Sequence, residues 1–262
     1  MTISETAGAA GVGPVQVASD LTSKDLSAAL KAGWADFTAM PVYGLFFALF
    51  YMLGGIALYF GMISMGQVVW FVAVAAGFPI FAPFAAIGIY EVSRRREAGE
   101  AVSWGAVLGA LKGRGNGQLS LMAVMVLIIF GFWVILARGI FAIFFAQSGI
   151  GQETMDMLFS AQGILMLGVG SVIGALVALA LFSITVISLP MLLDREVDFV
   201  TAMITSVEVV HQNRDTMIRW AITIAVVLFV SMLPVFLGLL IALPVLGHTT
   251  WHLYRRAVPT TD

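Results

Sequence analysis

The 262-residue chain contains no cysteine, and only 11% of its residues are charged. The missing cysteines exclude disulfides, CxxC zinc sites, cysteine-ligated iron–sulfur clusters and thiol catalysis by this chain. An average soluble protein carries roughly 25% charged residues, so the low charge excludes an ordinary soluble domain. A net charge of -2, without a Lys/Arg-rich tail, also argues against nucleic-acid binding.

Apolar residues are what the chain has in excess, at 60% of the sequence with a mean hydropathy of +1.01. A transmembrane helix needs about 20 mostly apolar residues, and several runs reach that length. They do not alternate as barrel strands do. The sequence therefore predicts an all-α polytopic membrane protein. Residues 1–20 are small and polar without the pattern of a signal peptide, which predicts a disordered tail before a single domain at 21–257.

Six transmembrane helices are predicted. The final apolar stretch is too long for one membrane-crossing helix at about 1.5 Å per residue, so we divide it near Pro234. With six spans, the Lys and Arg residues of the loops all fall on one side. The positive-inside tendency then places both termini in the cytoplasm. The predicted spans cover residues 42–63, 68–90, 119–145, 163–189, 217–233 and 235–254.

A repeated unit organises these spans as three helical hairpins, each preceded by an amphipathic helix on the cytoplasmic side. Thr22 with Asp25, and Ser103, predict the starts of the first two amphipathic helices. Each hairpin returns through a proline followed by charged residues, at Pro83, Pro190 and Pro244. The predicted apolar stripes are Leu26, Leu30, Trp34 and Phe37, then Trp104, Val107, Leu108 and Leu111, then Val200, Met203, Val207 and Val210.

Three segments of the chain resemble a known family. They are YEVSRRREAGE, SLPMLLDREVDFVTAMITSVEVV and the ending LPVLGHTTWHLYRR. Together they resemble the bacterial predicted integral membrane proteins of domain-of-unknown-function family 2189. The resemblance covers nearly the whole chain after the tail, and the ending is its most specific part. It implies a six-span inner-membrane protein of proteobacterial type, and it carries no established substrate, cofactor or catalytic residue.

Two histidines, His248 and His252, lie one helical turn apart at the end of the last predicted span. Glu208 and His211 on the third amphipathic helix, with Glu91 at the end of the second span, could join them. Such a Glu/His cluster would suit zinc, iron or copper, or a proton relay. A haem would need a partner helix, because side chains one turn apart cannot reach opposite faces of one ring.

A structural interpretation of the two histidines competes with the metal site, and we favour it. The neighbouring residues Trp251, Tyr254, Arg255 and Arg256 are typical of a membrane interface, where aromatic rings and long cations meet the headgroups. Neutral histidines there can hydrogen-bond another helix. The spacing also lacks the glutamate general base of an HExxH site.

Two further features lie inside the predicted spans. Arg138 is the one charge well within an apolar run, where ionisable residues often mark function, although it lies close enough to the outer end to snorkel or to pair with Glu153 or Asp156. Gly170 and Gly174 form a GxxxG pair, for which helix packing inside the bundle is the favoured use.

The sequence carries no phosphate-binding loop, nucleophile elbow, HExxH or dinucleotide-binding motif. We therefore favour a non-enzymatic accessory or scaffold subunit of a membrane protein complex, in contact with the lipid bilayer. The alternatives are a small-molecule or lipid transporter, and a metal- or haem-binding membrane protein that uses His248 and His252.

Overall fold

The computed structural model describes residues 15–66, 82–112, 117–145 and 155–259, and within these ranges the chain is helical with no strand. Eleven α-helices are described, and a 3-10 turn at Ala110–Lys112 follows the fourth. They are α1 (Ser23–Ala39), α2 (Pro41–Ser64), α3 (Ala82–Glu97), α4 (Trp104–Gly109), α5 (Gln118–Phe145), α6 (Met155–Phe159), α7 (Ala161–Thr185), α8 (Ser188–Asp194), α9 (Phe199–Gln212), α10 (Arg214–Met232) and α11 (Leu239–Ala257).

Four stretches of the described helices are long and apolar enough to cross a membrane: α2, α5, α7 continued by α8, and α10. An all-helical membrane protein is therefore confirmed. The predicted number of six spans is not. Residues 68–81 of the predicted second span lie outside the described ranges, and α11, which contains most of the predicted sixth, is not among the four.

Side-chain caps begin the three short helices that precede long ones. Thr22 and Asp25 form the predicted capping box of α1, with the Thr22 amide donating to Asp25 Oδ2 at 2.8 Å. Ser103 Oγ accepts the amide of Ala106 at the start of α4. Asp198 caps α9 through the Thr201 amide at 2.9 Å. A short helix followed by a long one thus recurs in the element order at α1–α2, α4–α5 and α9–α10.

Most residues of α11 are buried, and α1 and α2 run antiparallel to it one after the other. Arg256 bonds Asp25 near the start of α1. Further along, a Cβ built on Gly44 of α2 would lie 2.7 Å from the Cβ of Pro244. The amphipathic α1 is therefore packed lengthwise on α11, so that the second half of α11 lies beyond the first residue, Pro41, of the candidate span α2.

Trp34, a member of the predicted apolar stripe of α1, is 51% exposed. Residues 15–20, from the predicted tail, contact the helices, and the Ala18 amide donates to the Ala257 carbonyl at 2.9 Å. The buried face of α1 consists of Leu26, Ala29, Gly33, Asp36 and Phe37.

A strained turn joins α10 to α11. Val235 and Phe236 both have left-handed backbone conformations, with φ of 52° and 64°. Phe236 is buried, and its ring lies against Gly55 of α2, which has no side chain to obstruct it. Val235 is β-branched, so its left-handed conformation costs free energy. Because its side chain is 57% exposed, no packing comparable to that of Phe236 offsets this cost.

Val235→Gly should stabilise the protein by about 0.5–1 kcal/mol. Glycine removes a left-handed penalty of about 1–2 kcal/mol, and the larger entropy of its unfolded chain offsets part of that gain. The thermal unfolding midpoint in mild detergent should rise. The matched control is Val230→Gly, also exposed but inside α10, which should lose about 0.5 kcal/mol. Equal losses in both variants would contradict the assignment of strain.

Candidate functional site

A buried polar network lies where α1, α3 and the second half of α11 meet. Its centre is the carboxylate of Asp36 on α1, which is only 6% exposed. The carboxylate accepts hydrogen bonds from Ser93 Oγ at 2.6 Å, His252 Nε2 at 2.8 Å and Arg96 Nε at 2.9 Å. Charge-assisted bonds of this length are the stronger class in proteins. One side chain of α1 is thus bonded to both other helices.

Gly33 allows α1 to pack close against α11. Gly33 lies one turn before Asp36, and a Cβ built on it would come within 2.6 Å of the Thr249 backbone nitrogen. Any side chain at position 33 would therefore push α1 away from α11. Because residues three apart share a helix face, the same close contact directs Asp36 toward the histidines of α11.

The hydrogen bonds around Ser93 assign the tautomer of His248. Ser93 Oγ lies 2.6 Å from both Asp36 Oδ2 and His248 Nδ1. A carboxylate only accepts, so the single hydroxyl proton of Ser93 goes to Asp36, and Nδ1–H of His248 donates to Ser93. His248 Nε2 is then an unprotonated acceptor. It is buried and has no hydrogen-bond partner.

This arrangement differs from a Ser-His-Asp triad. In a triad the carboxylate orients the histidine and the histidine activates the serine. Here the carboxylate bonds Ser93 directly, and Ser93 is fully buried. Its oxygen cannot meet a substrate, so the geometry gives it a bridging role between Asp36 and His248.

A second group of polar contacts continues the network toward the end of α11. Glu97 of α3 accepts from Trp251 Nε1 at 2.9 Å and from Arg255 Nε at 3.0 Å. Asp194, at the end of α8, accepts from the Tyr254 hydroxyl at 2.8 Å and from Arg255 at 3.1 Å. The aromatic and basic residues of the ending are therefore bonded to α3 and α8.

Burial and hydrogen bonding act in opposite directions on Asp36. Burial alone would raise the pKa of this carboxyl, but the hydrogen bonds from His252 and Ser93, with the positive charge of the imidazoles when protonated, outweigh it. The net pKa lies below its usual value. Asp36 is therefore ionised at neutral pH.

Glu91, predicted to join the histidines, lies in an ion-pair group of its own. It accepts from Arg94 Nε at 2.8 Å and from Arg95 Nε at 2.6 Å, and both arginines also contact Glu100. Burial would raise the pKa of Glu91, but the two arginines outweigh burial and lower it. These pairs hold the end of α3 against the turn that follows.

The other predicted ligands are also separate from the histidines. Glu208 and His211 are exposed on α9, and Glu208 accepts from Gln212 at 2.9 Å. No group of three or more His, Asp or Glu side chains suited to a metal ion occurs among the described residues. The structure thus brings His248 and His252 together with Asp36, and does not assemble the predicted five-residue cluster.

The remaining predicted residues lie in the long helices. Arg138 is exposed on α5, and its suggested partner Glu153 lies outside the described residues. A Cβ on Gly174 of α7 would lie 2.9 Å from the ring of Trp133, so this glycine admits α5 closely. A Cβ built on Gly170 would meet no described atom beyond its own helix backbone within 4 Å. Only the second glycine of the pair therefore packs against another described helix.

Asp36, Ser93 and Arg96 were not predicted from the sequence. A signal for Asp36 did exist, because it continues the small-residue spacing of Ala29 and Gly33 along α1. Small residues mark close helix contacts in membrane proteins. An acidic residue in line with them therefore indicates a buried carboxylate.

Comparison with known proteins agrees with the resemblance seen in the sequence. Residues 71–194 match the model of a family described as predicted integral membrane protein (DUF2189). Over this segment, slightly less than half of the chain, the protein is similar to that family. The match includes YEVSRRREAGE and SLPMLLD but ends before the histidine-containing ending. No curated protein and no solved structure gives a significant match.

Proposed function

We propose that this protein is a non-catalytic scaffold or accessory subunit of a membrane protein complex. The observation that supports this best is the state of the buried network. Asp36, Ser93 and Arg96 are bonded to one another and to the histidines, and Ser93 and His248 are fully buried. Apart from His248 Nε2, these polar groups satisfy each other inside a helix junction, which stabilises one arrangement of the helices and keeps Ser93 and His248 out of contact with a substrate.

The surface offered to a partner is apolar. The clearest patch is on α9, where Val200, Ile204 and Val207 form an exposed stripe, while its opposite face of Ala202, Thr205, Ser206 and Val209 is buried. Ser206 also accepts the Ile187 amide at 3.1 Å, which holds α9 at the break between α7 and α8. A rigidly held helix with an outward apolar stripe suits docking to another membrane protein.

We further propose the finer topology. The chain forms one domain of six spans in three hairpins, in a bacterial inner membrane with both termini cytoplasmic. The sixth crossing uses the turn before α11 and its first half, which packs beside α2. The basic clusters at the ends of α3 and α11 then lie on the same side, as the positive-inside tendency favours.

The test is affinity isolation of the intact protein from native membranes in mild detergent. A stoichiometric membrane partner should copurify, and Ile204→Gln should reduce its recovery about tenfold, as expected for a well-buried interface residue. The matched control is Ile164→Gln, where Ile164 on α7 is similarly exposed (61% against 62%). A protein that purifies alone, or equal partner loss in both variants, would contradict the proposal.

A metal or haem function has one supporting observation, the buried and unpaired Nε2 of His248. Elemental analysis and an absorption spectrum of the purified wild type, His248→Ala and His252→Ala would test it. Stoichiometric metal or a Soret band that disappears in the variants would replace the scaffold proposal. The transport alternative needs a polar cavity at mid-depth, whereas the described groove between α1, α10 and α11 is lined mainly by apolar side chains.

A further inference from the structure

A V-shaped gap separates α10 from α11. The two helices meet at the strained turn, where a Cβ on Gly238 would lie 2.7 Å from the Cα of Ser231. Toward their other ends they diverge, and α1 fills the widening space. Arg219 of α10 donates to Ser23 at 2.6 Å, and Arg256 of α11 bonds Asp25 at 3.0 Å. Between the closed end and α1 a groove remains.

This groove is apolar and small. Its volume is about 340 Å³, and its walls include Trp34 of α1, Val227 of α10, and Ile241 and Val245 of α11. Binding pockets for small molecules range from about 300 to 1,000 Å³, so the groove lies at the lower limit. A helix of about 10 Å diameter is too wide for it. One flexible hydrocarbon chain is the occupant of suitable size.

The groove also adjoins the hydrocarbon region. Its α10 wall belongs to one of the four candidate spans. Trp34, at its α1 end, is half exposed, and such a tryptophan is typical of the level where headgroups begin. A chain in the groove can therefore belong to a lipid whose headgroup lies beside α1.

Basic side chains surround that end. Arg219 is exposed one helical turn before the groove residue Thr223. Lys31 is exposed one turn before Trp34 on the same face of α1, and Lys24 lies two turns earlier. Of the nearby acids, Asp20 and Asp25 are both bonded to Arg256, and Asp215 is exposed one turn before Arg219. The rim is therefore positive on balance.

We infer that the groove binds one acyl chain of an anionic phospholipid, with the lipid phosphate held by Arg219 and Lys31. The positive rim favours a lipid with a net negative headgroup over a zwitterionic lipid, whose headgroup cation already balances the phosphate. The small volume of the groove admits only one acyl chain. The inference does not depend on the scaffold role, because it needs only the membrane location and the contacts of α1, α10 and α11.

Native mass spectrometry of the full protein in mild detergent tests the headgroup contact. Phosphatidylglycerol and phosphatidylcholine with identical chains are added separately. The wild type should retain one phosphatidylglycerol in preference to phosphatidylcholine. Arg219→Gln should weaken phosphatidylglycerol retention about fivefold, the effect of one basic residue near a headgroup. The control Arg214→Gln, at the start of the same helix, should not. No preference in the wild type would overturn the inference.

Filling the groove tests the chain contact independently. Val227→Trp places an indole in the groove and should reduce retention of the lipid at least tenfold. Val226→Trp is the matched control, because Val226 is the neighbouring residue of the same helix, 54% exposed and not part of the groove. It should bind lipid as the wild type does. Equal retention by both tryptophan variants, or a polypeptide held there in place of lipid, would overturn the inference.

Discussion

Asp36→Ala should lower the free energy of unfolding by about 3 kcal/mol. Removing one partner of a buried ion pair costs about 3–5 kcal/mol, and we take the lower limit because the Arg96 side chain is 29% exposed and regains some hydration. Ser93, in contrast, is fully buried and would lose the acceptor for its hydroxyl proton. The thermal unfolding midpoint in mild detergent measures this loss.

The matched control for Asp36→Ala is Asp20→Ala. Asp20 also pairs with an arginine, Arg256 at 3.0 Å, but its side chain is 74% exposed. An exposed pair contributes about 0–1 kcal/mol. If the two variants lost similar stability, the Asp36 network would not be a principal support of the helix junction.

The pH dependence of the free energy of unfolding is a second measurement of the stabilisation by Asp36. The pKa of Asp36 in the folded protein lies below the unfolded value of about 3.9. The ionised Asp36 therefore adds its full contribution to the free energy of unfolding above about pH 4. That contribution is lost as the pH falls through the pKa of Asp36 in the folded protein. Between pH 5 and pH 3 the wild type should lose more stability than Asp36→Asn, which lacks the titrating carboxylate. Parallel curves would contradict a stabilising role for the ionised group.

Local features were predicted well because they depend on neighbouring residues. The capping box of Thr22 and Asp25 and the cap at Ser103 need only the first turn of a helix, and both are present. The long apolar helices follow from composition over about 20 residues. Neither depends on how distant helices meet.

The faces of the amphipathic helices were less predictable. On α9, Val200 and Val207 of the predicted stripe are exposed, whereas Ser206 and Thr205 are buried. On α1, likewise, the apolar Trp34 is exposed and the acidic Asp36 is buried. In a soluble protein apolar residues define the buried face, but a bilayer solvates them equally well. Small and polar residues are then the better indicators of helix contacts.

The polar network itself depends on long-range contacts. Asp36 and His252 are separated by 216 positions. The spacing of the histidines indicated a shared helix face, but nothing in the sequence placed α1 antiparallel to α11. The predicted ligands Glu91, Glu208 and His211 were selected by residue type, and each has a different local environment in the structure.

Gly33→Ala should lower the free energy of unfolding by about 2 kcal/mol. The added methyl group would lie 2.5 Å from Thr249 Oγ1 and 2.6 Å from the Thr249 backbone nitrogen. A rotated hydroxyl can relieve the first contact, but the second requires α1 to move away from α11. Overpacking of this kind typically costs about 1–3 kcal/mol. The Asp36–His252 bond, one turn away, would lengthen with it.

Gly131→Ala is the matched control, since Gly131 lies inside α5 and a Cβ built on it would meet no described atom beyond its own helix backbone within 4 Å. Alanine there should stabilise its helix by up to about 1 kcal/mol. The two substitutions should therefore change the thermal midpoint in opposite directions. Asp36→Ala combined with Gly33→Ala should lose less than the sum of the single losses, because both act on the same contact between α1 and α11. Additive losses would mean that the glycine contact and the carboxylate network stabilise the protein independently.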